Sequence, residues 1–133
     1  MANNYIKFSL CIECSTEEEA EWLISAVNQW IDPELDQPVP PCTCERHNLN
    51  VYLYDMGDGP SDIDAVCQIL QDYLCQFEIE KYILLSWAYT CSAPRPMEFG
   101  GAAVAITQHN IYPFDPIELA RTCMEEVVKK EPY

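Results

Sequence analysis

The sequence predicts an α+β fold in which three helices pack on a four-stranded mixed sheet, in the order β-α-β-α-β-β-α. Apolar residues alternate with period two in two segments, as in half-buried strands. They recur at helical spacing in two others. The 133 residues, of which 49% are hydrophobic and 22% charged, match one packed domain spanning residues 1–133.

The N-terminal elements follow from local patterning. Residues 5–13 alternate as a strand. Ser15 with Glu18, or Thr16 with Glu19, then offers a capping box that begins a helix over residues 16–31. Helical spacing leaves Trp22 outside the buried stripe of this helix. That stripe consists of Ala20, Leu23, Ile24, Val27 and Ile31.

The central segment alternates between irregular and regular pattern. Residues 32–48 contain four prolines and lack periodicity, which predicts a long loop. Residues 49–54 form a second strand, and Asp58, Gly59 and Pro60 a turn. Residues 62–77 form a second helix. Its buried face is predicted at Ile63, Val66, Leu70, Tyr73, Leu74 and Phe77.

The C-terminal segment completes the fold. Residues 82–90 begin apolar on both faces, which indicates a central strand. A loop over 91–101 leads into a strand of small residues, 102–107. Asp115 and Pro116 then give the N-cap and first turn of a last helix, which ends near residue 130.

The charge excludes several function classes. The chain has 22 acidic and seven basic residues, a net charge of −15. Such a surface repels nucleic acid, which binds through Lys and Arg, and repels anionic membranes. No segment approaches the roughly 18 consecutive apolar residues of a membrane span. We therefore expect neither a nucleic acid nor a membrane as a direct partner.

The negative charge is concentrated in one part of the chain. Residues 1–80 hold 16 acidic and two basic residues, a net of −14, whereas residues 81–133 hold six and five, a net of −1. This asymmetry favours a non-enzymatic module that binds a basic protein, such as a nucleic-acid-binding protein whose groove the acids occupy. The alternative is that the acids only solvate the protein. The acidic surface is predicted at Glu17, Glu18, Glu21, Trp22, Asp32, Glu34 and Asp36, with Trp22 and Trp30 as aromatic anchors. The alternative for Trp30 is a place in the core.

Eight cysteines suggest a second interpretation. The N-terminus lacks the basic and apolar regions of a secretory signal, so we expect a cytoplasmic protein with reduced thiols. The pairs Cys11-x-x-Cys14 and Cys42-x-Cys44, with His47 nearby, could hold one zinc ion. The alternative is a chain without cofactor, in which the first pair packs as small apolar residues and the second lies idle in the loop. Cys67, Cys75 and Cys123 are expected in or near the core.

The loop over 91–101 carries the third interpretation. Cys91, Arg95 and Glu98 form a candidate recognition loop that two prolines stiffen. A cysteine-dependent enzyme centred on Cys91 would need a base such as His109. The sequence contains no phosphate-binding glycine loop, zinc-protease motif or nucleophile elbow.

Two segments resemble a family of small, uncharacterised acidic proteins from bacteria and their mobile elements. The first is T-x-E-E-A-x-W-L, which begins at Thr16. The second is Y-x-C-S-x-P-R-x-x-E-F-G-G, which begins at Tyr89. The likeness covers about half of the chain and omits the cysteine loop in the middle. It implies a phage- or plasmid-type accessory protein and carries no assigned activity.

Overall fold

The fold is α+β, and its three helices lie close to the predicted positions. The computed structural model describes residues 4–55, 61–91 and 100–130. The helices are α1 (Glu17–Asn28), α2 (Ile63–Gln76) and α3 (Pro116–Lys130). The strands are β1 (Asn4–Lys7), β2 (Ser9–Glu13), β3 (Ile31–Asp32), β4 (Gln37–Pro38), β5 (Thr43–His47), β6 (Asn50–Tyr54), β7 (Ile83–Cys91), β8 (Gly100–Ile106) and β9 (Ile111–Phe114).

The single mixed sheet of the prediction is wrong. The described strands form a four-stranded sheet in the order β1-β7-β8-β9, a three-stranded sheet in the order β2-β6-β5, and the β3-β4 hairpin. Every pairing is antiparallel. Strands that follow one another through short connections pair antiparallel, which explains β5 with β6 and the run from β7 to β9.

The predicted strand over 5–13 passes from one sheet to the other. It is interrupted at Phe8, whose side chain is buried. β1 pairs with β7 in the four-stranded sheet, and β2 pairs with β6 in the three-stranded sheet. The alternation of apolar residues is continuous across the break, so the pattern alone does not locate the change of sheet.

Two strand regions were missed. The proline-rich segment over 32–48 is not one irregular loop, because it contains the end of β3, then β4 and β5. β9 also escaped prediction, since it is short and contains Pro113, a residue tolerated on the edge of a sheet. The turn expected at residues 58–60 lies outside the described residues.

The two sheets share a core with α1 and α2. The largest fully buried side chains include Leu23 of α1, Leu53 of β6, Leu70 of α2 and Leu85 of β7. The predicted buried face of α2 is confirmed, with Phe77 half-buried at its end. α1 ends three residues earlier than predicted, and Ile31 is 49% exposed in β3 instead of buried in a helix.

The C-terminal part has two features of its own, a close approach of two strands at Gly101 and a fully exposed helix. A Cβ on Gly101 would lie 2.9 Å from the Trp87 carbonyl oxygen, so β8 approaches β7 where a side chain would clash. Every residue of α3 is exposed.

The prediction of Cys75 and Cys123 in or near the core is wrong, since both are exposed, whereas Cys67 is buried. No helix in the described part of the chain is long and apolar enough to cross a bilayer.

Candidate functional site

A groove between α1 and α2 contains both predicted tryptophan anchors. It has a volume of about 360 Å³. We name it the tryptophan groove. Its lining residues are Trp22, Ser25, Ala26, Gln29, Trp30, Ile31, Ile69 and Asp72. Two indole rings and two isoleucines provide apolar contact area, and Asp72 is the charged residue of this lining.

The spacing of α1 explains why Trp22 lies in the groove. Trp22, Ala26 and Gln29 follow one another at i, i+4 and i+7 on one face of the helix. The Trp22 ring lies 6.2 Å from the Tyr73 ring and 6.0 Å, edge-on, from the Phe77 ring, both carried by the α2 segment. Trp22 is therefore half-buried between the helices. Trp22 lies outside the fully buried stripe of α1, as predicted, but α2 covers a second side of this helix and packs against the indole ring.

The acidic side chains of α1 divide between two sides of the helix. Glu18 precedes Trp22 by one turn, so it lies on the groove side of the helix. Glu21 is 3.8 Å from the Arg46 guanidinium of β5, measured from Oε1 to Nη1. Glu17 lies one turn before Glu21, on that same side. Glu17 and Glu18 are exposed and form no ion pair within the described residues.

The remaining acids lie on the β3–β4 hairpin, which starts at the groove. The Val39 amide, just after β4, donates to the Trp30 carbonyl oxygen, just before β3, at 2.9 Å. This hydrogen bond joins the two ends of the hairpin. Asp32 Oδ1 accepts a hydrogen bond from the Glu34 amide at 2.8 Å. Asp36 has a φ of 52°, a conformation that Asp and Asn adopt more readily than most residues. Asp32 thus shapes the turn, whereas the exposed Glu34 and Asp36 are available to a partner.

A second cleft contains a buried carboxyl group that the sequence reasoning treated only as a cap. Its volume is about 420 Å³, and Glu13, Glu19, Tyr73 and Lys81 are among its lining residues. Glu19 is only 7% exposed. The Tyr73 hydroxyl donates to its Oε1 at 2.8 Å, and the Thr16 hydroxyl donates to its Oε2 at 3.2 Å. Since Tyr73 and Thr16 occupy both oxygens, this arrangement ties α1 to α2.

The sequence held one signal for this contact. The sequence predicts a capping box at the start of α1 with Ser15–Glu18 and Thr16–Glu19 as its two candidate pairs. The structure shows the second pair, in which the Glu19 amide donates to the Thr16 hydroxyl at 3.2 Å. A buried tyrosine hydroxyl normally has a hydrogen-bond partner. The predicted burial of Tyr73 therefore called for an acceptor, but the sequence does not show which residue supplies it. Asp72, which lies beside Tyr73 on α2, was also missed as a residue of the groove.

The four candidate zinc ligands lie in different environments. Cys11 is exposed, Cys14 and Cys42 are buried, and Cys44 is half-buried. The strand register aligns Cys11 with Tyr52 and Glu45, and Leu10 with Leu53 and Cys44. Because neighbouring residues of a strand point to opposite faces, Cys11 and Cys44 lie on opposite faces of the three-stranded sheet. Across the described residues, no group of three or more His, Cys, Asp or Glu side chains is arranged to hold a metal ion.

The buried thiols are poor nucleophiles at neutral pH. Burial raises the pKa of Cys14, although a hydrogen bond with Tyr73 opposes this shift. Burial, together with the neighbouring Cys44, raises the pKa of Cys42 to about 12. Burial likewise raises the pKa of Cys67, to about 11. A thiol reacts and binds metals as its thiolate, so these side chains suit packing better than catalysis.

The candidate recognition loop is described only at its start. Cys91 is the last residue of β7, and its backbone is paired with Asn4. Arg95 and Glu98 lie outside the described residues. His109, the base suggested for a cysteine enzyme, is exposed in the connection from β8 to β9, where its amide donates to the Thr107 hydroxyl at 3.3 Å.

Comparison with other proteins gives no relative from which a function could be transferred. No protein-family model matches the chain, and neither a curated protein nor a solved structure is significantly similar to it. The groove, the acids around it and the charge of the chain are therefore the features that bear on its function.

Proposed function

We propose that this protein is a non-enzymatic binding module that engages a basic protein through the tryptophan groove and the acids beside it. The observation that carries the proposal is the position of Trp22 and Trp30 in one groove, within the part of the chain whose net charge is −14. Tryptophan is enriched among the residues that dominate interface energetics. Negative charge around an aromatic contact surface accelerates the encounter with a basic partner.

In this proposal each residue has a distinct part. The indoles of Trp22 and Trp30 provide apolar contact, and Asp72 accepts hydrogen bonds at the groove itself. Glu17, Glu18, Glu34 and Asp36 attract the partner over a longer range. Asp32 and Glu21 contribute less, because one holds the hairpin turn and the other faces Arg46. A nucleic-acid-binding protein is a suitable partner, since its binding surface is rich in Lys and Arg.

The test compares two matched pairs of charge reversals in an immobilised protein exposed to cell lysate. Glu17→Lys/Glu18→Lys changes two adjacent acids at the start of α1. Glu125→Lys/Glu126→Lys changes two adjacent acids on α3, with the same effect on net charge. Bound proteins are eluted with a salt gradient and quantified by mass spectrometry, and circular dichroism verifies that all variants remain folded.

We expect the α1 pair to lower the capture of basic proteins about tenfold or more and the α3 pair to leave it nearly unchanged. Equal losses in both pairs would mean that net charge alone attracts basic proteins, and the proposal would be rejected. Ser25→Arg, which places a cation on the groove, provides a second test. Its control is Thr122→Arg on the polar side of α3, and only the Ser25 variant should abolish capture.

A further inference from the structure

Two apolar surfaces in the C-terminal part of the chain are left uncovered by the residues that the structure describes. The first is a stripe along α3. Ile117, Ala120, Met124, Val127 and Val128 recur at i, i+3, i+7, i+10 and i+11, so they share one face of the helix. The exposed fractions of the four larger residues are between 43% and 59%. An amphipathic helix of this kind normally packs its apolar face against another element.

The second surface is the outer face of the four-stranded sheet. Val104 and Ile106 point inward, because both are buried. Their neighbours Ala103 and Ala105 therefore point outward, where the register aligns Ala105 with Leu84 and Tyr112, and Ala103 with Phe114. Leu84 is 61% exposed, and Tyr112 and Phe114 are exposed to a similar extent. On this face Ala105 lies between Leu84 and Tyr112, and Ala103 lies between Ser86 and Phe114. We name this strip of small residues, with its larger apolar neighbours, the trough.

α3 does not fill this trough in its own chain. Asp115 alone separates β9 from α3. Its Oδ1 accepts from the Ile117 amide at 2.9 Å and from the Glu118 amide at 3.3 Å, which fixes the direction in which the helix leaves the sheet. All α3 residues remain exposed in that position. One chain thus presents an uncovered helix stripe and an uncovered trough of matching chemistry.

We propose that a second copy of this chain covers both surfaces, with the α3 of each copy lying on the outer sheet face of the other. Such a reciprocal contact closes with two-fold symmetry. The large apolar residues of the stripe and the trough are each about half exposed. Together they present an area on the order of 700 Å², close to the roughly 800 Å² that each partner buries in a standard interface.

Charge also favours a second copy over another occupant. Like chains repel one another through their acids, but residues 81–133 have a net charge of only −1. α3 itself balances Glu118, Glu125 and Glu126 against Arg121, Lys129 and Lys130. Two copies can therefore approach through their C-terminal parts while the strongly acidic parts remain apart, and a basic partner gains nothing from this neutral surface.

Sedimentation analysis of the full chain tests the proposal. Interfaces of this size have dissociation constants that are micromolar at the weak end. At a protein concentration of about 100 µM, we therefore expect a sedimentation mass of twice the monomer mass of 15.3 kDa. Leu84→Lys on the sheet and Met124→Glu on α3 should each give monomers. The control Leu35→Lys, at a residue that is 57% exposed on the β3–β4 hairpin, should remain dimeric. Circular dichroism establishes that each variant is folded.

Mixing the two monomeric variants distinguishes helix-on-sheet packing from other dimers. In the mixed pair, the glutamate introduced on α3 of one copy faces the lysine introduced on the sheet of the other, and the second contact joins two unaltered surfaces. We expect the mixture to regain the dimer mass. A monomeric wild-type protein, variants that remain dimeric, or a mixture that stays monomeric would each overturn the proposal.

Discussion

The two parts of this chain differ in where they place apolar side chains and charge. In residues 4–55 and 61–80, the apolar faces of α1, α2 and β6 are buried, and the charged side chains other than Glu19 are partly or fully exposed. In the C-terminal part, β7 and β8 add Leu85, Val104 and Ile106 to the same core, but α3 buries nothing. The first part therefore buries the apolar faces of its helices and repels like chains. The second leaves apolar area uncovered where repulsion is weakest.

The largest expected difference between the two parts is in the cost of truncating a leucine. Leu70 of α2 is fully buried, and Leu84 of β7 is 61% exposed. Leu70→Ala should lower the free energy of unfolding by about 2–5 kcal/mol. Leu84→Ala, measured in dilute monomer, should change it by less than about 0.5 kcal/mol. Urea unfolding of both variants measures this, and similar costs would show that the outer sheet face is packed in the monomer.

A smaller effect separates two tyrosine–glutamate hydrogen bonds of the same length. The Tyr73 hydroxyl donates to the buried Glu19 at 2.8 Å, and the Tyr54 hydroxyl donates to the exposed Glu45 at 2.8 Å. Tyr73→Phe leaves a buried oxygen without its donor and should cost about 1–3 kcal/mol. After Tyr54→Phe, water can donate to the exposed Glu45 carboxylate instead, so the free energy of unfolding should fall by less than about 0.5 kcal/mol. Equal losses in urea unfolding would argue against the burial of Glu19 as the source of the difference.

Alkaline pH provides the third comparison. The pKa of the Cys42 thiol is raised from 9.0 to about 12 in the folded protein by burial. The unfolded chain therefore loses the proton first, and stability present below pH 9 declines as the pH rises toward 12. The share due to Cys42 should be about 1 kcal/mol between about pH 9 and about pH 10. Urea unfolding of reduced Cys42→Ala should show a shallower decline, whereas Cys123→Ala, at an exposed position of α3, should retain the wild-type slope.

The smallest effects are expected from the surface ion pairs of both parts. Glu21→Gln breaks the contact with Arg46, and Glu118→Gln breaks the contact with Arg121. Each should change the free energy of unfolding by less than about 0.5 kcal/mol, because these glutamate side chains are well exposed and screened by water and salt. A large loss in one variant only would mean that ion pairs, and not burial, distinguish the two parts.

The helices could be predicted from the sequence because their signals are local. Capping residues and a spacing of three to four residues locate α1, α2 and α3 within a few positions. The residues of β5, at 43–47, show no alternation of apolar side chains. This segment is a strand because its backbone pairs with β6, which its own sequence pattern does not indicate. Pairing between distant segments also decides that β1 and β2 belong to different sheets.

The candidate site was predictable in composition more than in arrangement. The acids and both tryptophans follow from charge and residue type, but the meeting of the two tryptophans with Asp72 in one groove depends on how α2 packs against α1. The exposed stripe of α3 has the same helical periodicity as the buried face of α2. Periodicity identifies an apolar face, whereas the element that covers it is determined by the tertiary structure.

The change of sheet at Phe8 has a consequence for the order in which the chain can fold during its synthesis. β2 can pair as soon as β6 has left the ribosome, which requires the chain up to residue 54. β1 must wait for β7, because Asn4 pairs with Cys91. Until then its backbone groups remain open to other chains, a hazard typical of unpaired strand edges during translation. β1 is thus synthesised well before the strand that completes it.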